Sequence, residues 1–174
     1  MRNYERIVEA AREVLSEVGA DASMEEIAAR AGVGVGTVYR RFASKDALID
    51  ELLRLALDQL MIATDQAMTR GDGDGLRELL TALGQSFADH ARYASLMLER
   101  PRDAYASRRI SMAIEELTRR AVAAGTVRPD ASAHDVLALV LAMRGLVQAS
   151  DEAAPAGWQR FLDIHLAGLR GPSP

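Results

Sequence analysis

Apolar residues recur at helical spacing along the whole of this 174-residue chain, and no segment alternates apolar with polar as a half-buried strand does. That single period confines the chain to an all-α fold. Ile7, Ala11, Val14, Leu15 and Val18 form one stripe, which Gly19 ends. Ser23 followed by Glu26 has the form of a capping box, and the helix it opens stops at Gly32. A short helix is expected from about Val35 to Phe42. Ser44 then caps a long one from Lys45 to about Thr69. Gly71-Asp-Gly-Asp-Gly75 reads as a turn, since it lacks the ligand spacing and closing Glu of a calcium loop. Leu76, Leu79, Leu80, Leu83 and Phe87 carry the next helix, and a short one is expected around Tyr93–Arg100, ended by Pro101. Ile110, Ile114, Leu117 and Ala121 mark another, which stops at Gly125. Ser132 with Asp135 opens the next, and a last helix runs from about Ala156 to Leu169, before a disordered tail. About nine helices result.

Composition narrows the function classes. The chain is 49% hydrophobic and 26% charged, enough to bury a core. It has no cysteine, which excludes disulfides and thiolate metal sites and suits a reducing cytoplasm. No apolar run approaches the ~20 residues that span a bilayer, and Glu5 and Glu9 come too early for a secretory signal. A cytoplasmic protein without membrane contact is expected.

Residues 33–45, Val-Gly-Val-Gly-Thr-Val-Tyr-Arg-Arg-Phe-Ala-Ser-Lys, concentrate the polar chemistry. A hydroxyl, a phenol and two guanidiniums on a brief helix, with a lysine opening the next, are groups that grip a DNA backbone and read base edges. Helix, glycine-containing turn, helix is the helix-turn-helix pattern. Net charge is −4, yet between Ile27 and Lys45 stand Arg30, Arg40, Arg41 and Lys45 with no acid. A small basic face on an acidic chain fits duplex contact through one surface.

With these residues in view, the stretch from about Arg6 to Leu52 resembles the TetR family of bacterial transcriptional regulators. The resemblance is carried by Ile7–Gly19, by Ser23-Met-Glu-Glu-Ile-Ala-Ala-Arg-Ala-Gly-Val33 and by Gly36-Thr-Val-Tyr-Arg-Arg-Phe-Ala-Ser-Lys-Asp-Ala-Leu48. It implies an N-terminal helix-turn-helix DNA-binding domain, residues 1–46, and a helical effector-binding and dimerisation domain, residues 47–174. It implies a repressor, a double-stranded DNA operator that is nearly palindromic, a homodimer, an unknown small-molecule effector that releases it, and no cofactor. Two departures stand out. Gly34 replaces a frequent serine, and Arg40-Arg41 makes the recognition helix more basic than usual.

Residue by residue, the Thr37 hydroxyl is expected on phosphate and Tyr39 is expected to flank the groove with it, against the plainer readings of helix filler and half-buried core tyrosine. Val38 and Phe42 supply the inward face. Lys45, at a helix N-terminus where it opposes the dipole, is expected on a phosphate docked there. Ser23 is first a helix cap, and its family counterpart also touches phosphate. Val35 and Gly36 offer close approach and thymine-methyl contact. Arg40 and Arg41 either read guanine by bidentate bonds or add phosphate contacts. Arg30 is expected on a solvated face.

The segment Val136–Val147 is apolar nearly all round, so it must be covered on more than one side. A second copy of the chain would cover it, and two-fold dimers are the commonest closed assemblies. Val136, Val140, Met143 and Val147, with Trp158, Phe161, Leu162, His165 and Leu169, are the expected interface. Met61, Phe87, Met97, Tyr105 and Met112 are candidates for an effector pocket, each also readable as plain core. Arg144 interrupts the apolar helix. It is expected to pair with Asp163 or Asp151 across the dimer, the sharper reading being a ligand anion.

Enzymatic activity finds no support, because His90, His134 and His165 stand far apart and outside any catalytic or metal motif. A helical interaction module that no longer binds DNA is the other rival, and a steep salt dependence of duplex binding would separate the two.

Overall fold

The computed structural model describes residues 2–71, 73–91, 104–149 and 157–170. Among them are eight α-helices and no strand: α1 (Arg2–Val18), α2 (Met24–Ala31), α3 (Val35–Arg41), α4 (Lys45–Thr69), α5 (Gly75–Asp89), α6 (Ala104–Ala123), α7 (Ala133–Ala149) and α8 (Gly157–Leu169). The helix expected around Tyr93–Arg100, the residue Met97 and the tail from Gly171 lie outside the described residues.

Local chemistry sets the ends. Gly19, at φ 64°, turns α1 into a 3-10 turn, Gly19–Asp21. The Ser23 hydroxyl accepts from the Glu26 amide at 3.2 Å, while the Glu26 carboxylate accepts from the Ser23 amide at 2.8 Å, so two orphan donors of α2 are satisfied reciprocally. Ser44 accepts from the Ala47 amide at 3.1 Å to cap α4. At α7 the Ser132 amide donates to Asp135 at 2.9 Å, with the Asp135 amide returning to the Ser132 hydroxyl at 3.4 Å.

The chain forms two compact units, one reaching to Leu57 together with residues 89–91, the other taking up at Asp58 within α4. In the first, α1 packs on α2 and α2 on α3. Ile7, Ala11, Val14 and Leu15 of α1 join Met24 and Ile27 of α2, Val38 and Phe42, and Leu48, Ile49 and Leu52 of α4 in one core. Arg30 on α2 adds a clamp across the surface. Its guanidinium donates to Glu13 at 3.0 Å and to both oxygens of Glu17, at 2.9 and 2.6 Å. Arg30 lies on the exposed face expected of it, and there it is engaged by its own protein. Its charge is spent on α1.

In the second unit, α6 packs on α7 and α7 on α8. Leu76, Leu79, Leu80 and Leu83 of α5, Ile114, Leu117 and Ala121 of α6, Val136, Leu139 and Met143 of α7, and Trp158, Leu162 and Leu166 of α8 are buried. Gly75 marks a close approach. A Cβ on Gly75 would stand 2.5 Å from the Ala67 carbonyl oxygen and 2.8 Å from a Leu117 methyl. The buried hydroxyls of Thr64 and Thr118 bond back to the carbonyls of Leu60 and Ile114, each at 2.7 Å.

Candidate nucleic-acid interface

The turn between α2 and α3 is built by backbone bonds. Gly32, at φ 62°, sits in the left-handed region, the Val33 amide donates to the Ala28 carbonyl at 3.0 Å, and the Gly32 amide donates to Ala29 at 3.1 Å. That is a Schellman ending, which a glycine adopts without strain. Arg6 on α1 donates to the Gly32 carbonyl at 3.2 Å, fixing the turn to α1. Gly34 is the N-cap of α3 and supplies no side-chain bond.

Helix α3 hangs on Val38, fully buried, with Phe42 just beyond its end also buried. At ~100° per residue, Gly36 and Arg40 lie opposite Val38, with Thr37 and Tyr39 on the two flanks. Val35, Gly36, Tyr39, Arg40 and Arg41 are exposed and Thr37 is half-buried. Tyr39 keeps 47% of its surface. Arg40 is aligned by its own helix, donating to the Thr37 hydroxyl at 3.0 Å.

Two of the expected phosphate ligands have partners already. Ser23 is occupied as a cap. Lys45 turns its ammonium back onto the Ala20 carbonyl in the 3-10 turn. An unsatisfied carbonyl at that turn is a ready acceptor for a lysine that the α4 dipole disfavours.

Arg41 points the other way from Tyr39, toward α1. Its guanidinium carbon lies 4.8 Å from the centroid of the Tyr4 ring, a cation–π contact. The Tyr4 ring in turn stands 6.1 Å from that of Phe42. Its hydroxyl donates to Glu51, whose carboxylate also accepts from Arg54 at 2.9 and 2.8 Å. The Arg54 bonds, then the Tyr4 hydroxyl, hold the Glu51 carboxyl down to about 2. The same carboxylate raises the Tyr4 phenol above its ordinary value. Asn3, Tyr4, Glu5, Ile7, Thr37, Arg40 and Arg41 line an open cleft of about 580 Å³ between α1 and α3. Tyr4, Glu51 and Arg54 were not singled out from the sequence. Tyr4 and Glu51 stand 47 residues apart, so no local pattern joins them.

The expected interface residues divide. Val136, Met143, Val147, Trp158 and Leu162 are buried within this chain's own core. Buried at 8% or less, they have no area to offer a partner. Val140, Phe161 and Leu169 are half-buried, and His165 is exposed. Its Nδ1–H donates to the Phe161 carbonyl at 2.7 Å, with the two rings 3.9 Å apart. The apolar residues that do face outward are Leu141, at 68%, and Ile164, at 55%, beside the exposed Ala138, Ala142, Gly145, Ala167 and Gly168.

The expected pocket residues differ in exposure. Tyr105 and Met112 are 64% and 70% exposed, so they line no enclosed space among the described residues. Met61, Phe87 and Arg144 are half-buried. Asp163, considered as a partner of Arg144, is taken by Arg77 of α5 at 2.9 Å, and Asp151 lies outside the described residues. Among the described residues no three His, Cys, Asp or Glu side chains gather as a metal site would need, and no helix is long and apolar enough to cross a membrane.

Residues 7–52 match the bacterial regulatory proteins of the tetR family, and residues 76–171 match the C-terminal domain of SbtR-like transcriptional regulators. The uncharacterised helix-turn-helix-type transcriptional regulator YvdT of Bacillus subtilis (strain 168) is 36% identical over 100 residues, 55% of this chain and 49% of that protein. The chain thus spans about half the length of the curated relatives it matches. Among solved structures, the TetR transcriptional regulator SCO0520 from Streptomyces coelicolor superposes with a TM-score of 0.72 at 29% identity, covering 99% of this chain and 100% of that one. The TetR transcription regulatory protein from Mycobacterium vanbaalenii gives a TM-score of 0.66 at 28% identity, with 98% and 96% covered.

Proposed function

Because the chain belongs to the TetR family of bacterial regulatory proteins, we propose that it is a transcriptional regulator, a repressor without enzymatic activity. It binds a near-palindromic operator as a homodimer in the cytoplasm and is released by a small-molecule effector. The observation that carries the DNA-binding reading is α3 itself. A short helix anchored by Val38 and Phe42 presents Val35, Gly36, Tyr39 and Arg40 outward from a scaffold fixed by the Arg30 and Arg6 bonds. Two such helices would enter successive major grooves about 34–36 Å apart.

The reading of a dimer rests on the exposed apolar strip of α7 and α8. Leu141 and Ile164, among the alanines and glycines at 138, 142, 145, 167 and 168, form a surface that a second copy can approach closely.

Fluorescence anisotropy on duplexes recovered from a random pool tests the function. Binding should weaken steeply with salt, with a slope of about −0.9 for each phosphate held. Tyr39→Ala should lose about tenfold or more in affinity, with an unchanged melting temperature. A flat salt response, or full affinity in Tyr39→Ala, would remove the assignment of this surface.

A further inference from the structure

We propose that Tyr4 holds Arg41 as a phosphate clamp beside α3, so that Arg41 grips the DNA backbone and does not read a base. The inference rests on the DNA-binding reading above and deepens it at one residue.

Placement decides the role of Arg41. At ~100° per residue, Gly36 and Arg40 stand about 160° from the buried Val38, whereas Arg41 stands only about 60° from it. The ridge that enters a groove is the side opposite the buried residue. The strands that wall the groove run alongside it. Arg41 therefore lies on the flank, over the Tyr4 ring at 4.8 Å and on the wall of the cleft it shares with Asn3, Thr37 and Arg40. That cleft is open and carries two guanidiniums, a hydroxyl and an amide, which suits an anionic backbone.

Tyr4 is a positioning residue in this arrangement. An arginine loses several free rotors when it is fixed, and a ring beneath the guanidinium removes part of that freedom before DNA arrives. The ring is itself fixed at both ends, by Phe42 at 6.1 Å and by the hydroxyl bond to Glu51. The charges nearby are accounted for. Glu51 is neutralised by the two bonds from Arg54, and Glu5 on the cleft wall is outweighed by Arg40 and Arg41.

The test uses the full chain and duplexes that it recovers from a random pool, together with all single-base variants of one of them. Arg41→Gln should reduce the salt slope by about 0.9 per protomer and weaken every duplex by a common factor. Tyr4→Leu should weaken them in the same uniform way, by about threefold. Arg41→Gln should then add little in the Tyr4→Leu background. Tyr4→Phe, which keeps the ring, should lose less than Tyr4→Leu. A loss confined to one base pair in Arg41→Gln overturns the clamp, and this arm stands even if Tyr4→Leu folds poorly. Independent, multiplying losses for the two residues overturn the role of Tyr4. A wild-type chain that recovers no duplex and shows no salt dependence sinks the DNA-binding reading itself, and this inference with it.

Discussion

Gly84 on α5 lies flat against the indole of Trp158 on α8: a Cβ at position 84 would stand 2.4 Å from the ring carbons Cε3 and Cζ3, and 3.0 Å from the Met143 sulfur. Trp158 is 3% exposed and Met143 fully buried, so neither can withdraw into solvent. Gly84→Ala should therefore destabilise the fold by about 1–3 kcal/mol, the usual cost of an overpacked core, despite the better helix propensity of alanine. Trp158 is the sole tryptophan, so a urea titration followed by its fluorescence reports on this contact directly. An unchanged midpoint would show that the indole can slide.

Glu51 gives the first unit a dependence on acid. Its folded-state carboxyl titrates at about 2 against an ordinary 4.5, chiefly because of Arg54 and then Tyr4. A depressed carboxyl stabilises the fold above its unfolded value and loses that contribution as pH falls through the folded one. Urea midpoints should drop between pH 4.5 and 2, and Glu51→Gln should flatten that segment of the profile while lowering stability at pH 7. At the alkaline end the sign reverses. The raised Tyr4 phenol contributes fully below its ordinary 10 and loses that contribution as pH rises beyond its folded value.

Gly145 separates folding from self-association. Nothing lies within 4 Å of a Cβ built there, and the residue is exposed in the middle of α7. Gly145→Gln should make the single chain more stable, by up to about 1 kcal/mol from helix propensity. The same change should weaken a dimer formed through this strip, as should Leu141→Glu. Light scattering across a dilution series reads the second effect and thermal melts the first. Dimers that persist in both variants would place the interface elsewhere.

Gly34 opens α3 without a capping side chain. Its φ of −68° and ψ of 143° suit serine, and a Cβ there meets no atom within 4 Å. Gly34→Ser should raise stability by a few tenths of a kcal/mol through capping of α3, without any change in core packing. Binding to the recovered duplex should rise if the hydroxyl also reaches a phosphate. A fall in melting temperature would contradict the open space at this position.

Much of the fold was legible in the residues because its signals are local. Ser23 with Glu26, Ser44, Ser132 with Asp135, and the glycines at 19, 32 and 125 each act within four residues of themselves, and each ends or opens a helix where expected. The inward role of Val38 and Phe42 was legible for the same reason. What covers an apolar face was not. Val136, Met143 and Trp158 carried the right hydrophobicity for an interface, yet all three are buried within one chain, Met143 and Trp158 against Gly84 of α5. Periodicity says that a face avoids water and is silent about its neighbour. Long-range polar pairs were invisible for the related reason that they join distant turns. Arg30 finds Glu17 across 13 residues, and Tyr4 finds Glu51 across 47.

The Arg30 clamp also bears on how such a protein would search a chromosome. Of the four cations between Ile27 and Lys45, Arg30 is consumed by Glu13 and Glu17, and Lys45 rests on Ala20. Arg40, Arg41 and Lys45, whose carbonyl partner leaves its charge intact, remain to hold arbitrary duplex in this stretch. Residence on random sequence depends almost wholly on such charges. A chain with so narrow a grip, and a net charge of −4 behind it, should let go of wrong sites quickly and explore by hopping more than by sliding.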